Sequence, residues 1–242
     1  MKIEEVYKLL KLSFKSLLDE RGIQDKAVNV KAAGLEGANK RTDFPVLNGA
    51  EIVMTAEYEG AKGECSTSFP SHFSGTLLQV SELDIENNPH ERSIFIAAMN
   101  AVMNFYELAD HCVSCPESDK EKCARYIADN YKKINEDVKV LLVGYQPFMV
   151  KEFIKHFSVR ILDLDQDNIG EARFSVVVEH GKDSFPDAVK WADVILCPGS
   201  SLSNGTIVDY INLPRDVTYY GATISGFARL AGLNRICPYS TK

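Results

Sequence analysis

Three of the six cysteines fall in one short stretch, as His111-Cys112-x-x-Cys115 followed by Cys123. A C-x-x-C turn can aim two sulfurs at one ion, and thiolates with an imidazole suit zinc, copper(I) or an iron–sulfur cluster far better than magnesium or calcium. Metal ligation by Cys112, Cys115, Cys123 and His111 is therefore the first expectation, with zinc or an iron–sulfur cluster as cofactor. Packing is the alternative, because cysteine is among the most often buried residues and a single C-x-x-C is less specific than a pair of them. A second group carries different chemistry. Cys197-Pro198-Gly199-Ser200-Ser201-Leu202-Ser203-Asn204-Gly205-Thr206 is a run of small and hydroxylated residues leaving an apolar segment, a composition that can receive a carboxylate or phosphate on free amides and hydroxyls. No Lys-Ser/Thr pair completes a P-loop, so ATP hydrolysis is not supported.

These groups must be positioned by elements that the hydrophobic pattern indicates. From Ile3 to about Glu20, Val6, Leu9, Leu10, Phe14, Leu17 and Leu18 mark one helix face that stops at Gly22. "AVNVKAAGL", "EIVMTAEYEG" and "KGECSTSF" read as strands, with "LNGA" as turn residues. Residues 91–109 form a helix that is apolar on nearly every side and should be buried. Its polar residues Asn100, Asn104 and Glu107, continued by His111, follow the spacing i, i+4, i+7, i+11 and predict one stripe. The stripe either lines a polar cleft or bonds the backbone of a neighbouring strand. Ser118-x-x-Glu121 has the form of a capping box, which would set Cys123 near a helix N-terminus and favour its thiolate.

Beyond residue 137 the rhythm changes to alternating strand and helix: "VKVLLVG", a helix after Pro147, "VRILDL", "FSVVVEHG", a helix near 187–191, "ADVILCPG", another helix, "DVTYYGA" and "NRICP". This order predicts a mainly parallel sheet whose ligands gather at the carboxyl ends of its strands. Candidate ligand-binding residues at those ends are Gly144, Asp163, Asp165, Gly199, Ser200, Asn204, Thr206, Gly221 and Thr223. Gly144-Tyr145-Gln146-Pro147 lacks two glycines of the dinucleotide fingerprint, which disfavours NAD and FAD and leaves other nucleotide-like cofactors open. Asp163 stands about 20 residues after Gly144, where Rossmann-type sites hold ribose hydroxyls. Asp163-x-Asp165-x-Asp167 is not a calcium loop, since Asn168 replaces the glycine and Phe174 the bidentate glutamate.

The 242 residues, 45% hydrophobic and 25% charged, are enough for two domains. The expected division is 1–110, a connector with its helix over 111–136, and 137–242. A net charge of −7 without a basic stripe argues against a nucleic-acid partner. The absence of a long apolar run argues against a membrane, so a cytoplasmic address is expected, where thiols stay reduced. A homodimer is left open.

"IAAMNAVMN", "LLVGYQP", "LDLDQDNIG" and above all "WADVILCPGSSLSNGTIVDYI" resemble the bacterial and archaeal family that carries a heavy-metal chelation label. Asn204, Gly205 and Thr206 match its Asn-Gly-Thr segment, whereas Cys197-Pro198 and "YYGATISGF" depart from its usual pattern. The resemblance implies an enolase-N-like domain followed by a Rossmann-like domain, an interdomain cleft as the site and metal handling as the role. Three functions follow: metal chelation with a small anionic ligand in the cleft, an enzyme on a nucleoside-containing or anionic metabolite with structural cysteines, and a non-catalytic metal sensor or scaffold.

Overall fold

The computed structural model describes residues 2–32, 52–133 and 137–241; the "LNGA" turn lies outside them. Helix α1 (Ile3–Arg21) buries Val6, Tyr7, Leu10, Phe14 and Leu18 on the face that the spacing predicts. It ends at Gly22, whose φ of 62° lets its amide and that of Ile23 bond back to Asp19 and Leu18. Strands β1 (Ala27–Ala32), β2 (Ile52–Tyr58), β3 (Ala61–Thr67) and β4 (Phe73–Thr76) form an antiparallel sheet in the order β3-β2-β1-β4. The β2–β3 hairpin turns on Glu59 and Gly60, both at positive φ, which matches the right-handed twist of its strands. A short helix α2 (Leu77–Glu82), which the sequence reading did not include, starts on a Thr76/Gln79 capping box.

Helix α3 (Pro89–Phe105) begins two residues earlier than its hydrophobic pattern suggests, because Asn88 accepts the amides of His90 and Glu91 and Pro89 takes the first helical position. It also ends earlier. Glu107 and His111 adopt φ values of 55° and 53°, so the expected four-residue stripe is broken: Asn100 and Asn104 lie on the helix, and the other two belong to the irregular connector. The helix rests directly on β3 at Gly63, where an added Cβ would stand 2.1 Å from the Ala101 amide nitrogen.

After the connector come α4 (Glu117–Lys132), β5 (Lys139–Val143), α5 (Pro147–Phe153), β6 (Ser158–Asp163), β7 (Ala172–Arg173), β8 (Val176–His180), α6 (Phe185–Trp191), β9 (Val194–Pro198), α7 (Ser200–Asn204), a 3-10 turn (Thr206–Asp209), β10 (Asp216–Tyr220) and α8 (Ser225–Ala231). Helix α4 starts on Pro116 rather than on Ser118, and no side chain caps it. The expected capping box is therefore absent, and Cys123 lies in the second turn. The sheet runs β10-β9-β5-β6-β8-β7, parallel throughout except for β7. "NRICP" contributes only an isolated bridge from Arg235 to Tyr219.

Alternation along the strands sorts side chains to two faces. Val140 and Leu142 of β5, with Val194 and Leu196 of β9, meet Ile127 of α4 and Phe153 of α5. Leu141 and Ile195 point the other way, into an apolar cluster that also holds Phe14, Met54, Phe95 and Phe227. One core thus runs from the antiparallel sheet through α3 to the parallel sheet.

Asn100 is wholly buried in that core. Its Nδ2 donates to the carbonyls of Glu64 at 3.0 Å, Thr223 at 3.0 Å and Ala222 at 3.3 Å, and its Oδ1 accepts the Gly226 amide at 2.9 Å. The amide fits because Gly226 has no side chain: a Cβ there would stand 2.9 Å from Oδ1. Asn100→Ala would strand the Thr223 carbonyl and the Gly226 amide away from water. We expect a loss of about 3 kcal/mol in unfolding free energy, read as a lower urea midpoint with an unchanged slope.

Candidate functional site

The parallel sheet reverses its order between β5 and β9, so the crevice at their carboxyl ends is where a ligand is expected. Gly144, at φ 75°, ends β5; an added Cβ would stand 3.8 Å from the Pro198 ring. Gly199 donates to the Tyr220 carbonyl at 2.7 Å, and Gly221, at φ 96°, offers its carbonyl to Arg235 Nε at 3.1 Å. The backbone ends of β5, β9 and β10 are thus brought together, as the strand order requires.

Their side chains spend their hydrogen bonds within the protein. Asp163 Oδ1 accepts the amides of Leu164 and Asp165, and Oδ2 accepts the Tyr145 amide and the Asn168 side chain. That carboxylate shapes the turn after β6. Asp165 accepts the Asp167 amide in a local turn. Ser200 is buried, and the buried Ser203 hydroxyl donates to the carbonyls of Ser66 and Ser200. The Thr223 hydroxyl, also buried, accepts the Ser66 amide at 2.9 Å. Asn204 is exposed and accepts the amide and hydroxyl of Thr206, closing another local turn. The loops after β9 and β10 are therefore stitched to β3 at Ser66, where the sequence suggests a cleft. Asn100 belongs to the same seam, and Asn104 donates to the Lys62 carbonyl at 2.9 Å. Glu107 is exposed beyond the end of α3.

Sequence reasoning missed Arg92, a buried cation at this seam. Its guanidinium donates to the carbonyls of Ile85, Glu86 and Ser203 and lies 4.4 Å from the centre of the Tyr7 ring, while Tyr7 donates to the Leu202 carbonyl at 2.7 Å. Two C-terminal carbonyls of α7 are thus capped from α1 and α3. Arg92 sits in the apolar helix and has no motif around it, so nothing local marks it.

This parallel sheet coincides with a stretch of the chain that matches a known family model. Residues 126–228 match DUF364, described as "Putative heavy-metal chelation". Two solved DUF364 structures of unknown function share the fold. One, from Pyrococcus horikoshii, is 17% identical, with a TM-score of 0.54 over 90% of this chain and 79% of the other. The second, from Desulfitobacterium hafniense DCB-2, is 14% identical, with a TM-score of 0.53 over 96% of this chain and 83% of the other. No curated protein matches the chain. Among the six cysteines only Cys197 lies inside the DUF364 segment. That thiol is wholly buried beneath Ser201 and near Tyr210 and Tyr219, and burial pushes its pKa up to about 12.

The other thiols separate in an unexpected way. Cys112 is wholly buried, among Ser225, Arg235 and Asp110, and burial pushes its pKa up to about 11. The His111 ring turns to the Ser240 carbonyl at 2.6 Å, and the His111 carbonyl accepts from Ser225, Arg235 and Ser240. His111 and Cys112 thus hold the connector to α8 and the C-terminal segment. Cys115 and Cys123 are half-buried. Burial, then Cys237, then Cys115 push the Cys123 pKa up to about 12, while burial followed by Cys237 raises that of Cys115. The thiolate that a helix N-terminus would have favoured at Cys123 is therefore disfavoured. Cys237, on the C-terminal segment, is likewise half-buried. Among the described residues no three His, Cys, Asp or Glu side chains stand in an arrangement that could hold a metal ion. No helix among them is long and apolar enough to cross a membrane.

Cys112 supplies a pH prediction. Its thiol keeps its proton up to about pH 11 when folded, against an ordinary value near 9.0. Its contribution to stability is complete below the ordinary value and is lost as pH rises from there through about 11. Chemical denaturation between pH 8 and 11 should show falling stability, and Cys112→Ala should make the fall shallower.

Proposed function

We propose that this protein chelates a thiophilic metal ion through thiols at the connector, with Cys115 and Cys123 as its first two ligands. The observation that carries this reading is that two half-buried thiols stand eight residues apart in the chain, one on the connector and one in the second turn of α4. A fully buried thiol such as Cys112 or Cys197 offers an ion no entry, whereas these two are within reach of solvent. Sulfur donors select soft or borderline ions over magnesium and calcium. The label of the DUF364 family points the same way, although the matched segment itself begins just after Cys123.

Proton chemistry follows from the environment. Both thiols are held in the protonated form at neutral pH, so ligation must release a proton from each, and apparent affinity rises with pH. Reduced protein handled without oxygen is expected to retain one equivalent of cadmium against a competing chelator. With two protons displaced, affinity should tighten by up to about 100-fold per pH unit between pH 6 and 8. Uptake that ignores pH and survives both Cys115→Ser and Cys123→Ser would place the ion elsewhere.

A further inference from the structure

Two buried polar atoms beside the end of β5 have no partner within the protein. Tyr145 follows the Gly144 turn, and its ring is packed into the apolar cluster shared with α4 and α5, with only 3% of the residue exposed. Phe174 and Val176 of the β7–β8 hairpin pack against the same cluster, so the hairpin is drawn to that ring. Its turn, Phe174-Ser175, has φ values of 51° and 69°, the left-handed pair that suits a two-residue connection between twisted strands. Arg173, on β7 just before the turn, sets its guanidinium carbon 5.6 Å from the centre of the Tyr145 ring. Its Nη2 donates to the Asp167 carbonyl at 3.4 Å. Among the described residues nothing pairs with Arg173 Nε or with the Tyr145 hydroxyl, although both atoms are buried. Buried polar atoms in folded proteins almost always have a partner.

We infer that Arg173 and Tyr145 form a binding site for the carboxylate of a small organic acid, independent of the connector thiols. A guanidinium can only donate. Burial, partly opposed by Arg173, raises the Tyr145 pKa, so the hydroxyl keeps its proton and donates as well. Two donors, one of them charged, call for an oxygen acceptor that carries negative charge. The surroundings limit how much charge it carries. The Asp163 carboxylate is taken up by four donors, and Asp165 and Asp167 stand in the turn that follows it. Those carboxylates repel a multiply charged phosphate group more than a single carboxylate. Access follows from the place of Arg173 in the sheet. Strand β7 is outermost and only two residues long, and Arg173 is half-buried. Its side chain can move off the ring by a change of rotamer while Ala172 and Arg173 stay paired with Val177 and Val176. The phenol is then the fixed partner of the ligand and the guanidinium the mobile one.

The test titrates the full, unsubstituted chain with acetate, followed by NMR at constant ionic strength, and repeats the titration with inorganic phosphate. Saturable acetate binding is expected. Tyr145→Phe keeps the ring and removes one hydrogen bond to a charged group, so acetate affinity should fall about tenfold. Arg173→Met removes the charge and should abolish saturation. No saturable binding by the unsubstituted chain, or equal affinity in Tyr145→Phe, would overturn the inference, and tighter binding of phosphate than of acetate would overturn the assignment of a carboxylate. Thermal melting without ligand gives an independent reading. Tyr145→Phe should melt at or above the temperature of the unsubstituted chain, because the hydroxyl it removes has no partner there. A clear fall would show that hydroxyl already satisfied and would count against the site. None of these outcomes depends on Cys115 or Cys123.

Discussion

A single buried amide decides how the two sheets of this protein meet. Asn100 on α3 reaches β3 on one side and the β10–α8 turn on the other, and it satisfies backbone groups on both. Unpaired, those groups would each carry a desolvation cost that apolar packing alone does not remove. The amide therefore fixes the rotation of α3 as well as its depth. Gly63 and Gly226 permit this placement, since a side chain at either would collide with the helix. Because the helix is locked to both partners, the apolar cluster is shared across the antiparallel sheet and the parallel one.

That lock has a chemical consequence. Loops at the carboxyl ends of β9 and β10, which in open α/β sheets are the usual place for ligands, are drawn onto Ser66 by Ser203 and Thr223. Asp163 is occupied by four donors from its own neighbourhood. The groups that look most reactive at this end of the sheet thus serve to hold it together. The same lock sets α8 against the connector, where Ser225 and Arg235 both donate to the His111 carbonyl. From there the C-terminal segment has a defined path to Val113. Residues more than a hundred positions apart, Val113 and Thr241, are thereby paired by packing far from them.

Much of the fold is legible in the sequence because it depends on local signals. Gly22 stops α1 by adopting a conformation that side chains resist, Pro147 opens α5, and the alternation of "VKVLLVG" with its neighbours sets up a parallel sheet. The polar stripe of α3 is legible only in part. Asn100 and Asn104 obey the helical period, but Glu107 and His111 do not, since the chain turns left-handed twice after Phe105 and no Gly or Pro marks either turn. The thiols of the C-x-x-C turn do not share one environment. Cys112 and Cys115 are close in sequence, yet one faces the core and the other half faces solvent. The bridge from Val113 to Thr241 that returns the C-terminal segment to the connector is a long-range arrangement that no window of sequence contains.

Ligation of one ion by the connector thiols, the role proposed for this protein, is most directly tested by X-ray absorption spectroscopy of the cadmium-loaded, unsubstituted protein. Sulfur neighbours from Cys115 and Cys123 are predicted around the metal. A shell of nitrogen and oxygen alone would contradict ligation by these thiols.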